Sequence, residues 1–152
     1  MDFDPSRLRR GELLAGAGGV LLLVFMLAVT WYGHGPRSRS GWEALVDLRW
    51  LLAVTIAAAF GLVFAQATRR APAVPSTMSM TVTILGVLSV LALIYRVLIN
   101  PPAHEQAGAF LGLISAVALA CGGYLSLRQE GIARRDEPTD IPVVRPRREP
   151  GS

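Results

Sequence analysis

Few residues in this chain are equipped for chemistry, and their spacing decides what each can do. The two histidines, His34 and His104, could join Glu43, Asp47 and Glu105 around a zinc ion, because imidazole and carboxylate are common zinc ligands. Neither histidine has a second ligand close by in a pattern such as HxxxH, so no metal is expected. Nucleophilic and phosphate chemistry lack their signatures as well. The chain contains no GxSxG and no HExxH. Gly16-Ala17-Gly18-Gly19 lies inside an uncharged run and does not follow a strand, where a phosphate loop would need it. Cys121, the single cysteine, falls in another such run; an apolar setting disfavours its thiolate, and it has no intramolecular disulfide partner. No catalytic residue and no cofactor is predicted.

Arg96 is the one charge placed within a hydrophobic stretch. An arginine at mid-bilayer costs about 2.5–3.5 kcal/mol and often marks an ion or substrate path. Here it stands beside Tyr95 and close to Asn100, where its side chain can snorkel to an interface or pair with Glu43, Asp47 or Glu105. Anchoring is the expectation, with a transport role as the alternative.

The elements that must position these residues follow from where charge is missing. Of 152 residues, 52% are hydrophobic and 17% charged, with a mean hydropathy of +0.44. Uncharged runs cover Leu13–Pro36, Trp50–Thr68, Ala71–Tyr95 and Gln106–Leu127, which is 24, 19, 25 and 22 residues. A bilayer core of ~30 Å needs about 20 apolar helical residues, so each run predicts one crossing. A soluble domain would interrupt such runs with polar positions on one helix face. The expected fold is an all-α membrane protein, a four-transmembrane-helix bundle with short loops and a disordered C-terminal tail. Its parts are a lead over 1–11, a membrane domain over 12–130 with spans at about 12–32, 49–68, 77–99 and 108–127, and a tail over 131–152.

Trp31 and Tyr32 are placed at the end of span one as amphipathic rings at the lipid–water interface. That span reads as an uncleaved anchor, being longer than a signal-peptide core and lacking a good cleavage site at Ala28-Val29-Thr30. In the first loop, Trp42, Leu45, Val46 and Arg49 keep helical spacing, which suits either a short interfacial helix or a simple turn; Trp42 and Trp50 are its candidate anchors. Pro72 and Pro75 separate spans two and three, and Asn100-Pro101-Pro102 closes span three. The tail, with Pro138, Pro142, Pro146 and Pro150 at intervals of four, cannot bury enough surface to fold alone.

All 15 basic residues are arginine, and they mark topology more than they mark nucleic acid, for which no basic fold motif is present. Three lie in the N-terminal lead, two in the second loop and six beyond span four, against Arg37, Arg39 and Arg49 on the other side. Eleven against three puts both termini in the cytoplasm. Small residues recur every fourth position in three spans: Gly11, Ala15 and Gly19; Ala53, Ala57, Gly61 and Ala65; Gly108, Gly112, Ala116 and Ala120. In lipid such stripes allow close backbone approach, so they are predicted to face one another inside the bundle or between subunits. Span three, with only Gly86 and Ser89, is expected at the periphery.

Arg10-Gly11-Glu12, Trp31-Tyr32-Gly33, Asn100-Pro101-Pro102, Gly108-Ala109-Phe110-Leu111-Gly112 and Gly122-Gly123-Tyr124-Leu125-Ser126-Leu127-Arg128 occur together at the ends of the spans. In these residues the chain resembles small four-helix integral membrane proteins of actinobacteria, whose function is uncharacterised. The resemblance implies the topology and a bacterial cytoplasmic membrane, and brings no catalytic residues. Residue types and resemblance together lead to a non-enzymatic integral membrane protein, a structural or interaction component of a membrane assembly. Its expected partners are the lipid bilayer and itself or other membrane proteins, with no nucleic acid and no identifiable small-molecule ligand. The alternative is a subunit of a pore or transporter using Arg96 and the acids of the loops beside it.

Overall fold

The computed structural model describes residues 10–68, 76–101 and 105–135. Four long helices form the body: α1 (Arg10–Ala28), α3 (Arg49–Thr68), α4 (Ser76–Ile94) and α5 (Ala107–Arg135). All four are long and apolar enough to cross a membrane. They run alternately up and down in a ring, in which α1 and α4 each pack against both α3 and α5. Span three is therefore a full member of the bundle and not peripheral. Gly86 and Gly123 explain why: a Cβ on Gly86 would stand 2.9 Å from Cα of Ala120 and one on Gly123 3.1 Å from Thr83 N, so the α4 and α5 backbones approach closely at both glycines.

One end of the bundle is capped by the chain between α1 and α3. There β1 (Thr30–Tyr32) pairs antiparallel with β2 (Arg39–Ser40), a 3₁₀ turn (Gly35–Arg37) lies between them, and the short helix α2 (Gly41–Ala44) follows. Span one was expected to continue as helix through Tyr32; instead α1 stops at Ala28 and the chain turns extended. Val29, Thr30, Trp31 and Tyr32 are β-branched or aromatic, the residues that lose most side-chain freedom in a helix. The reversal into β2 uses Gly33 at φ +101° and Gly35 at φ +54°, backbone conformations that side chains with a Cβ resist. Of the two alternatives for the first loop, a short helix is formed. Ser40 Oγ accepts from the Glu43 amide at 3.4 Å and Glu43 Oε2 accepts from the Ser40 amide at 3.2 Å, a reciprocal cap at its N-terminus.

The last turn of span three is also irregular. Tyr95–Ile99 widens into a π turn, closed by the Asn100 amide donating to the Tyr95 carbonyl at 2.8 Å. Asn100 precedes Pro101, which disfavours helical backbone at Asn100 and ends the element. At the other end, α5 continues to Arg135, past the expected limit of the membrane domain at 130. The stretch from Leu127 to Arg135 is rich in strong helix formers, and Gly131 alone, at about 1 kcal/mol, does not break it. Gly131–Arg135 thus belongs to helix and not to the tail. The remaining tail, the N-terminal lead with Arg7 and Arg9, the second loop with Arg69 and Arg70, and His104 lie outside the described residues.

Candidate functional site

The ribbon end of the bundle gathers most of the singled-out side chains. Trp31 and Tyr32, expected as rings facing the interface, are instead interior: Trp31 is 0% and Tyr32 2% exposed. The correction has a local cause. Thr30 pairs with Ser40 and Tyr32 with Arg39, so β1 carries one residue more than β2 across this register. A bulge at Trp31 breaks the alternation that would have sent the two rings to opposite faces. The indole enters the top of the bundle, and its Nε1–H donates to the Phe25 carbonyl at 2.7 Å. Space for it comes from glycines. A Cβ on Gly41 would lie 2.7 Å from its Cε2, one on Gly108 2.8 Å from its Cδ1, and one on Gly112 would overlap its Cζ2 and Cη2 atoms.

Around the indole a hydrogen-bonded layer ties the ribbon to α5. The Gln106 amide donates to the Trp31 carbonyl at 2.8 Å, the Gln106 side chain bonds both Gly33 O and Thr30 Oγ1, and Glu105 forms a β-bridge with Tyr32. The Tyr32 hydroxyl donates to the Arg96 carbonyl at 3.4 Å, reaching the π turn. Burial pushes the Tyr32 phenol above its ordinary value, the Arg96 charge holds it back, and the Glu105 carboxylate adds to the rise.

Arg96 is half-buried, and its guanidinium donates to the Asn100 carbonyl at 3.5 Å, where it caps the end of its own helix. The acids named beside it in the sequence are used differently: Glu43 is held in the cap of α2, and Glu105 sits on the bridge to Tyr32. A second aromatic group stands at the start of α3. Trp42 and Trp50 meet edge to face with centroids 6.1 Å apart, and the Arg49 guanidinium carbon lies 5.6 Å from each ring centre. Trp50 is 63% exposed and Trp42 half-buried. Among the described residues, no group of three His, Cys, Asp or Glu side chains comes together to hold a metal ion. Cys121 is exposed on α5.

The predicted small-residue stripes are distributed over several partners. Gly11 and Ala15 are buried against α5: a Cβ on Gly11 would meet Ser126 N at 2.5 Å, and one on Gly122 would meet Ala15 Cα at 2.6 Å. The next contact along this face is Gly18 on Leu119 N at 2.6 Å, whereas Gly19 turns toward Ala59 of α3 at 3.5 Å. On α5, Gly108 and Gly112 face Trp31, Ala116 is buried, and Ala120 meets Gly86 of α4. The row on α3 does not face inward. Ala57 is exposed, Ala53, Gly61 and Ala65 are half-buried, and the interior positions are Leu52, Thr55, Ile56, Ala59 and Leu62. The two sets lie on different sides of one helix, so the choice of larger residues for the core leaves the small ones outside.

Several buried polar contacts were not foreseen from the sequence. Thr55 Oγ1 donates to the Leu51 carbonyl at 2.8 Å and lies 2.8 Å from Ser89 Oγ, joining α3 to α4. Ser79 Oγ and Ser126 Oγ, 3.2 Å apart, join α4 to α5. Glu12, 2% exposed, occupies the first turn of α1, where the helix dipole favours an anion. Isolated hydroxyls in apolar runs were the available signal, because a buried hydroxyl needs a partner. The chain matches no protein-family model, no curated protein and no solved structure.

Proposed function

We propose that this chain is a non-enzymatic integral membrane protein of the bacterial cytoplasmic membrane, a structural component that assembles with itself or with other membrane proteins. The observation that carries the reading is the outward row on α3. Ala53, Ala57, Gly61 and Ala65 offer a second helix the close approach that association in lipid depends on, and the bundle does not use that row for its own core. The arginine distribution, eleven against three, supports an orientation with both termini cytoplasmic and the ribbon end outside.

The test is disulfide cross-linking in native membranes of Ala57→Cys in a Cys121→Ala background, with Val87→Cys on the exposed face of α4 as control. A cross-linked dimer, or a discrete adduct with another membrane protein, is expected for Ala57→Cys and not for the control. Monomer alone at both positions, with nothing co-purifying, counts against the assembly role. The alternative, a pore or transporter subunit using Arg96 and the nearby acids, is separated by proteoliposome flux with and without Arg96→Ala. Flux that depends on Arg96 would favour the alternative.

A further inference from the structure

Arg49 is the first residue of α3, at the boundary of a helix long enough to cross a membrane. A half-buried cation at this depth needs an acceptor, because an unpartnered charged donor away from water is among the costlier features a structure can keep. None is supplied among the described residues. Nε is enclosed with no hydrogen-bond partner, and Nη1 and Nη2, which reach the surface, have none among the described residues. Glu43, the acid of α2, is engaged by the Ser40 amide, and Asp47 is exposed and unpaired with Arg49. What the protein supplies is a holder: the indoles of Trp42 and Trp50 each stand 5.6 Å from the guanidinium and fix it between them. Indole rings favour the lipid–water boundary, and Trp50, 63% exposed, stands at the end of the span where headgroups lie. A helix N-terminus adds a weak positive field to the arginine charge.

We infer that Trp42, Arg49 and Trp50 form a site for the phosphate of an anionic phospholipid headgroup, with the Nη edge of Arg49 donating to phosphate oxygens and the indoles packing along the glycerol and upper chain. The guanidinium fork suits a phosphate, and its charge makes the hydrogen bonds strong ones. This inference rests on the reading that α3 crosses a membrane.

The experiment uses the full chain, purified in neutral detergent and titrated with dioleoyl phosphatidylglycerol while retained lipid is counted by native mass spectrometry. Arg49→Gln is expected to weaken retention about tenfold, the scale of one charge-assisted contact, and Arg96→Gln to leave it unchanged. Trp50→Ala, at a position exposed enough to spare the fold, is expected to weaken it several-fold and keeps the test decisive if Arg49→Gln unfolds. Equal retention by the wild type and both Arg49→Gln and Trp50→Ala overturns the site. Displacement of the lipid by an equal concentration of inorganic phosphate overturns the lipid as its source. A chain that needs detergent yet shows no such differences loses the lipid site alone; a chain that stays dissolved without detergent loses the membrane reading and the site together.

Discussion

Trp31 concentrates the physics of this molecule in one side chain. A large ring is buried at the top of a helical bundle, its single polar group satisfied by the Phe25 carbonyl, in a slot kept open by Gly41, Gly108 and Gly112. Gly112 leaves the least room, since a Cβ there would stand far inside van der Waals contact with the Cζ2–Cη2 edge of the ring. Gly112→Ala should therefore lower stability by about 1–3 kcal/mol, the range for overpacking a filled core. Gly61→Ala should be neutral or gain up to about 1 kcal/mol, because its nearest neighbour is the flexible end of Met78 at 3.6 Å and alanine is the better helix former. Unfolding in mixed micelles by graded SDS measures both; Trp31→Leu should restore part of the loss in Gly112→Ala. Tyr32 beside it makes a pH prediction. Its phenol titrates above the ordinary tyrosine value of 10.0, so the folded state holds the proton where the unfolded chain has begun to release it. Stability is full below that value and falls as pH rises beyond it, and Tyr32→Phe should remove this part of the alkaline loss. A 295 nm absorbance titration compared between the wild type and Tyr32→Phe should place the Tyr32 ionisation above pH 10.0.

At the scale of elements, the periodicity of the helices explains what the residue pattern disclosed and what it hid. The four apolar runs were legible because length and missing charge are local properties of the chain. Which face of each helix turns inward was less so. A strict interval of four drifts around a helix of 3.6 residues per turn, and the contact face on α1 steps from Gly11 to Ala15 to Gly18, leaving Gly19 to α3. The same drift spreads Gly108, Gly112 and Ala120 between Trp31 and α4. Trp31 itself was misplaced because its burial depends on a bulge and on glycines from two distant segments, neither of which leaves a mark near Trp31 in the sequence. Between α3 and α4, where no glycine pair draws the backbones together, Thr55 and Ser89 supply a hydroxyl contact at 2.8 Å. Such contacts in membranes are worth about 0.6 kcal/mol on average. Thr55→Val and Ser89→Ala should each cost about that much, and the double variant should cost clearly less than their sum. Additive losses in a double-mutant cycle would mean that the two hydroxyls do not act on each other.

For the whole molecule, the asymmetry between the two ends of the bundle governs how it sits in a bilayer. At 29 residues α5 is about 43 Å long, longer than the ~30 Å hydrocarbon core, and the excess must emerge at one end. Its first turn is fixed to the ribbon by Gln106, so the overhang falls at the opposite end, where Arg128 and the later arginines of the chain follow. At the ribbon end Arg37 and Arg39 are exposed, Arg96 bonds Asn100 and Arg49 lies between two indoles. In the proposed orientation, with positive charge retained in the cytoplasm, the overhang lies inside and the ribbon outside. Alkaline phosphatase, active only after export, should be inactive when fused to either terminus and active when inserted in the 3₁₀ turn at Pro36. Moving arginines should move the topology: replacing Arg69 and Arg70 by glutamine while adding three arginines beside Arg37 should produce a fraction of molecules with terminal phosphatase activity. A terminal fusion that is active in the unaltered chain would reverse the orientation, and would put the Trp31 layer and the Arg49 cluster on the cytoplasmic face.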